Sequence, residues 1–422
     1  MKRYLCFVIA GIMLLSLWGC KESTLISDEE NLLTDYVRSD AVPVYDFTSG
    51  EVIMPETYSA YTEAVTEFSL RLLANSIAEG ENTLIAPAAV VSDLSLCANG
   101  AGSAALNQLN STLAGGEGLA SLNTNTHYLN SRLRTLNTEQ TGYTGTNALW
   151  FNDKFDVKAA FLQSAKNYYD AGVFRLDFSQ ESTKDKIIGW TAEASQNKVT
   201  NVVDNVGAEE MALMLSTVRL SDGWTTNYTT DRLTEGTFHG ANGDTQVTFM
   251  EGEEFYISSA YGEGIIKSFA NTPLRFGAIL PSEGTSVEEL VTNLTYNRYA
   301  ELLSSQTAVN RCAAKLPEFS AFFNGDLKQA VSDAGLDKCF GAQGEFTALS
   351  NTSSVSFDRI IQDASLYIGP FGTVEAETMT DLGSGPVSEE LEKLTFDRPF
   401  LYFIFDNESN IPVFMGVVSN IE

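Results

Sequence analysis

Apolar residues recur at helical spacing from Tyr61 to Ala78, where Ala64, Val65, Phe68, Leu72 and Leu73 share one side and Gly80 closes the run. The same pattern continues from Ala89 to Leu113, and Phe161, Leu162, Ala165 and Tyr168 predict another helix over Ala159–Tyr169. Strand patterns then take over: TNALWF (146–151), LMLSTVRLS (213–221), TQVTFM (245–250), LRFGAILP (274–281), AAKLPEF (313–319), SLYIGPF (365–371), LYFIF (401–405) and VFMGVVS (413–419). Several are apolar on both faces, as central strands of a covered sheet must be. Further helices are expected near Val287–Ser304 and Leu327–Ala334, so the order reads as mixed α+β. The last two strands are joined by Asp406–Pro412, whose composition is turn chemistry.

One stretch breaks this alternation. In FGTVEAETMTDLGSGPVSEELEKLTFDRPF (371–400) the chain stays small and polar until it turns abruptly into the strand at its end. Little in it could fill a core, so its extension is itself the feature to explain.

The chain begins MKRYLCFVIAGIMLLSLWGC: two cations, an apolar run, then Leu17-Trp18-Gly19-Cys20. This is an export signal rather than a spanning helix. A small residue directly before a cysteine resembles the lipobox of bacterial lipoproteins, which implies that Cys20 is acylated and becomes the new N-terminus. An ordinary signal peptide cut nearby is the other reading. Residues 1–19 are then a signal peptide, 20–45 a polar tether, and 46–422 a single domain. The resemblance places the protein outside the cytoplasm, lipid-anchored to the outer membrane or cell surface.

Composition narrows the function classes. The 422 residues, 44% of them hydrophobic, suffice for a substantial core. The net charge is −29; losing Lys2 and Arg3 with the signal leaves 24 cations against 55 acids, or −31. Such a surface repels phosphate backbones and argues against nucleic-acid partners. Setting Cys6 and Cys20 aside leaves Cys97, Cys312 and Cys339, at most one disulfide and one spare thiol. The two histidines, His127 and His239, lie in no metal-binding context, and the nucleophile-elbow, P-loop and dinucleotide signatures are missing. Ser384 stands between two glycines but lacks the strand-turn-helix setting of a nucleophile. No catalytic residue, metal or cofactor is expected, and the chain does not read as an enzyme.

The terminal run FDRPFLYFIFDNESNIPVFMGVVSN is similar, nearly residue for residue, to the closing signature of the serpins, a family of serine-protease inhibitors. KLPEFSAFFNGDLKQAVSDAGLDKCFG with EFTALS (315–350), NALWFNDKF (147–155), NYYDAGVFRLDF (167–178), GWTAEASQNKV (189–199), GAILPSEG (277–284) and FSLRLLANSIAEGENTLIAPAAVVSDLSLCANGA (68–101) each resemble a serpin segment, in order and at serpin spacing. The resemblance covers about 58–422. It implies a large central mixed sheet, two smaller sheets, eight or nine helices and an exposed reactive-centre loop.

The polar stretch then becomes a bait loop over about 372–394. In inhibitory serpins the loop is cut while esterified to the protease, and its hinge inserts into the main sheet as a new strand. About fourteen residues at about 3.3 Å each would carry the bound protease some 46 Å. The implied partner is a target protease held covalently, with a monomeric inhibitor that waits in a kinetically trapped state.

The resemblance assigns the hinge to Gly372, Thr373, Val374, Glu375, Ala376, Glu377 and Thr378. Alternate side chains must enter the core on insertion. Thr373, Glu375, Glu377, Met379 and Asp381 form one set; Val374, Ala376, Thr378, Thr380 and Leu382 form the other, which avoids burying two glutamates. Taking Val374 as one extra residue puts the second set inward. Without that shift the chain is a non-inhibitory serpin, a binding or structural module on the cell surface. The family's acidic residue before the hinge is Pro370 here, and its polar cluster beneath the sheet maps onto Ala86, Ala89, Ser216 and Gln362, a latch tuned differently. Trp224 keeps the family tryptophan near the top of the sheet.

Counting along the loop places the scissile bond in the window Leu382, Gly383, Ser384, Gly385, Pro386 and Val387. No arginine or lysine lies between Gly372 and Glu392, which favours elastase-like or subtilisin-like proteases, or papain-like cysteine proteases, over trypsin-like ones.

Overall fold

In the computed structural model the closing strands β13 (Phe400–Asp406) and β14 (Pro412–Val418) are buried at every position, as their two-faced apolar pattern requires. Asp406 builds the turn between them: its carboxylate accepts from the Ser409 N–H at 2.8 Å and the Ser409 hydroxyl at 2.7 Å, and Asn410 takes φ +60°. The structure describes residues 26–48, 52–135, 137, 141–195, 202–340, 346–374, 388 and 390–422.

Nine α-helices occur among the described residues: α1 (Tyr58–Ala74), α2 (Pro87–Ala98), α3 (Ser103–Leu113), α4 (Leu119–Arg134), α5 (Ala159–Tyr168), α6 (Ser182–Ala194), α7 (Val287–Asn293), α8 (Tyr296–Ser304) and α9 (Lys328–Val331). The helix expected from Ala89 to Leu113 is two helices, α2 and α3. Between them Gly100 lies so close to Leu349 that a Cβ there would stand 2.7 Å from the Leu349 Cβ. Ser286 caps α7 by accepting the Glu289 N–H at 3.1 Å, the serine–glutamate spacing of a capping box.

A mixed five-stranded sheet has the order β10 (Phe319–Asp326), β11 (Phe357–Ile368), β4 (Ala212–Ser221), β2 (Gly142–Asn152), β3 (Gly172–Leu176). A second sheet runs β1 (Thr83–Ile85), β14, β13, β8 (Leu274–Pro281), β7 (Gly262–Ser268), β6 (Gly243–Ser259), β9 (Arg311–Pro317), β12 (Lys393–Thr395), with β5 (Leu233–Gly240) also on β6. Two smaller sheets were expected beside the main one. The 17-residue strand β6 pairs with β5, β7 and β9, and so joins them into one nine-stranded sheet.

Helix α2, with all twelve residues buried, lies beneath the five-stranded sheet and touches β4, β2 and β14. Cys97, Cys312 and Cys339 are buried and form no disulfide with one another.

Part of the stretch read as a tether lies against the body. Leu32 N–H donates to Val173 O at 2.9 Å and Arg175 N–H to Glu30 O at 2.9 Å, which adds a short antiparallel bridge to the outer edge of β3. Glu30 also pairs with Lys186 of α6. Tyr45 and Phe47 pack edge-on against Tyr128 of α4 at 5.0 and 5.1 Å. No helix among the described residues is long and apolar enough to cross a membrane.

Candidate functional site

In the middle of the five-stranded sheet, β4 and β11 run side by side and parallel, paired from Ala212↔Phe357 to Arg219↔Ser365. Their connection spans most of the second sheet, so neither a hairpin nor a helical crossover ties them locally. Beyond Ser365 the two strands part. Leu366 to Ile368 stay paired only with β10, and Leu220 and Ser221 only with β2. This seam opens at one end.

The chain leaving β11 turns at that open end. Gly369 and Gly372 exchange backbone hydrogen bonds of 2.9 and 3.2 Å. Gly372 has φ +105°, and a Cβ there would meet Asp222 O at 2.2 Å, so only glycine fits. Thr373 then docks on the residue just past β4: its N–H donates to Asp222 O at 2.9 Å, and its hydroxyl accepts from Asp222 N–H at 2.8 Å. Of the hinge, Gly372, Thr373 and Val374 are described; Glu375, Ala376, Glu377 and Thr378 lie outside the described residues, as does the whole bond window 382–387. Cys20 lies outside them too.

A buried cluster holds this turn from below. Trp224 Nε1 donates to Gly369 O at 2.9 Å, and its ring stacks on Phe269 with centroids 4.6 Å apart. Tyr228 N–H donates to Pro370 O at 3.0 Å, so the proline still serves as an acceptor. The Tyr228 hydroxyl donates to Glu254 Oε1 at 2.9 Å, where Lys267 Nζ also binds at 2.6 Å while lying 4.3 Å from the Tyr228 ring centre. Both partners of this ion pair are nearly inaccessible, at 7% and 5% side-chain exposure, so removing either would strand a buried charge. Burial, reinforced by the Glu254 charge, holds the Tyr228 phenol well above its ordinary range. The same causes push the Cys312 thiol up to about 12, which keeps it protonated and unreactive. Asp222 is fixed in turn, its carboxylate accepting from Thr272 N–H at 2.7 Å and Asn271 Nδ2 at 2.9 Å.

The inner face of the sheet carries a second network. Gln362 Oε1 accepts from Ala86 N–H at 2.8 Å, and its Nε2 donates to Ala86 O at 3.0 Å and towards Ser216 Oγ at 3.5 Å. Gln362 and Ser216 are register partners across the seam, and all three residues are inaccessible to solvent. Asn147 Nδ2 donates to Ala89 O at 3.1 Å and to Asp93 Oδ1 at 2.8 Å. Desolvation holds the Asp93 carboxyl well above its ordinary range, with the Asn147 bond as a smaller opposing influence. Ala86, Ala89, Ser216 and Gln362 thus meet in one buried region, the two alanines through their backbones. Trp224 stands apart from them, at the open end.

Asp222, Tyr228, Glu254, Lys267, Asp93 and Asn147 were not singled out from the sequence. Lys267, a cation inside the apolar strand GEGIIKS, was a usable signal for a buried counter-charge. Among the described residues no group of His, Cys, Asp and Glu is placed to hold a metal. Around the seam, polar side chains grip backbone: Gln362 holds Ala86, Asn147 holds Ala89 and Trp224 holds Gly369.

The model of the family described as serpin (serine protease inhibitor) matches residues 63–421. The chain belongs to the serpin family. An uncharacterized serpin-like protein of Methanosarcina acetivorans is 22% identical, with 99% of this chain and 98% of that one covered. The alpha-1-antiproteinase of Callosciurus caniceps is 23% identical over 68% of this chain and 71% of its own. Among solved structures, the thermophilic serpin tengpin in its native state matches with a TM-score of 0.82 at 26% identity, covering 93% of this chain and 99% of that one. In its latent state tengpin matches with a TM-score of 0.74 at 25% identity, covering 88% and 100%. The arrangement of helices and sheets is the serpin fold. Serpins are in general protease inhibitors rather than catalysts, with a target protease as the usual partner.

Proposed function

We propose that this serpin traps a serine or cysteine protease as a suicide substrate. The protease nucleophile attacks a carbonyl within 382–387, the loop forms an acyl ester or thioester with it, and the C-terminal piece departs as a free amine with the proton. The released hinge then enters the seam between β4 and β11 and drags the protease away before water can hydrolyse the acyl bond. The observation that carries this reading is the seam itself, parallel and open at one end. At that mouth Thr373 is already hydrogen-bonded to the residue beyond β4. Continued pairing along β4 would extend the same contact. The higher likeness to native than to latent tengpin supports a resting state in which the loop has not entered.

The uncharged, small-residue bond window favours an elastase-like or subtilisin-like target. The lipobox-like LWGC supports a monomer anchored by acylated Cys20 at the outer membrane or cell surface. The second reading, a non-inhibitory surface module, draws on Glu375, Glu377 and Pro370, which suit insertion poorly. Incubation with a panel of elastase-like and subtilisin-like proteases tests the choice. A covalent, SDS-resistant complex supports inhibition; cleavage without complex and without a gain in melting temperature supports the module.

A further inference from the structure

The inner face of the seam is gripped by Gln362, and the next residue of the same strand grips the outer face. Asp363 opposes Thr217 in register, yet its partner is Arg219, two residues further along β4 and opposite Ser365. The Arg219 guanidinium pairs with the Asp363 carboxylate through Nη2, while Nη1 donates to Asp363 O at 3.2 Å and Val218 O at 2.8 Å. The other carboxylate oxygen accepts from Asn324 Nδ2 of β10 at 2.8 Å. Arginine and aspartate are each only 14% exposed. Side chains from three strands are thereby tied on one face, at the last rungs before β4 and β11 part.

We propose that Arg219 and Asp363 form a gate on the seam, a pair that must break before an entering strand can pass this level, and that sets how fast insertion begins. The proposal rests on the insertion reading above. A diagonal pair across two parallel strands cannot survive a strand being placed between them, because neighbouring strands lie about 4.8 Å apart and insertion doubles that spacing. Asp363 keeps Asn324 after the break, since β10 and β11 lie on the same side of the seam. The cost of opening therefore falls mainly on Arg219, which exchanges a partly buried carboxylate for water. A charge-assisted bond of this kind holds the gate shut by about one order of magnitude in rate.

The test uses the whole chain and a synthetic peptide of its own loop, residues 373–386, whose uptake is followed by native gel and by melting temperature. Arg219→Gln and Asp363→Asn should each speed uptake about tenfold, and the double variant should be no faster than either single one. Arg219→Lys, which keeps the charge without the planar fork, should fall between them and the parent. After loop cleavage the parent and all variants should melt together, because the pair is already broken in the inserted form. Variants that take up peptide within twofold of the parent rate, or that lower the melting temperature of the cleaved form as much as that of the intact one, overturn the gate. A parent chain that neither takes up peptide nor gains stability on cleavage overturns the insertion reading instead.

Discussion

Replacing Gln362 by alanine tests the inner grip on the seam most cleanly. The truncation removes the acceptor of the Ala86 N–H, held at 2.8 Å, while Ala86 O retains the Ala89 N–H at 3.2 Å. One buried donor is left unpaired, at about 1–3 kcal/mol, and the weaker 3.5 Å contact with Ser216 adds at most about 1 kcal/mol. The expected loss is about 1–4 kcal/mol in a site with no access to water. If the grip holds the resting state and is released before the transition state for opening, the loss appears in the opening rate, raised by between about fivefold and several hundredfold. Unfolding of the intact chain in guanidinium, followed by tryptophan fluorescence, gives that rate. Gln362→Met keeps the volume without the hydrogen bonds and should behave like alanine. An alanine variant that opens within threefold of the parent, or a methionine variant that restores the parent rate, would refute the reasoning.

Three further outcomes follow from the same geometry. Gly372→Ala forces a Cβ towards Asp222 O at a φ of +105°, at about 1–3 kcal/mol of strain, so amide exchange at Thr373 should accelerate by at least about fivefold. Glu254→Gln leaves Lys267 without its counter-charge and should destabilise the intact chain by about 3–5 kcal/mol; adding Lys267→Met should recover most of that in a denaturant melt. Asp93 favours its protonated form when folded, so its contribution is whole below about pH 3.9 and is lost as pH rises towards the raised value. Asp93→Asn, which imitates the protonated acid and can still accept from Asn147, should therefore stabilise the chain by at least about 1 kcal/mol at pH 8 and have little effect at pH 4. Equal effects at the two pH values would rule out the buried acid as the cause.

The strands that are apolar on both faces were legible in the chain because burial on both sides leaves no polar alternation to confuse. Elements whose polar residues interrupt the apolar pattern were not. Helix α4 reads LASLNTNTHYLNSRLR, whose asparagines and threonines are poor helix formers, yet Asn123, Asn125 and Thr126 are buried there by packing. Strand β6 extends nine residues past the expected TQVTFM because EGEE hides its second half; Glu254, a buried member of that run, is accounted for by Lys267 on the neighbouring strand and by the Tyr228 hydroxyl. The break between α2 and α3 was visible as NGAG and was overridden by the helical spacing on either side.

The site divides along the same line. Gln362 and Ser216 could be picked out through the family resemblance. That they face each other across the seam is a matter of pairing between strands 146 residues apart, which no local pattern encodes. The roles of Ala86 and Ala89 were harder still, since both act through main-chain groups that any residue would supply.

The central claim is that the intact chain waits with an unfilled seam and relaxes when its loop is cut. The measurement that bears on it most directly is the melting temperature before and after limited proteolysis within 382–387, with both fragments retained. The account predicts that the cleaved protein melts far above the intact one, its hinge having become a strand between β4 and β11. Identical melting temperatures for the two forms would contradict it.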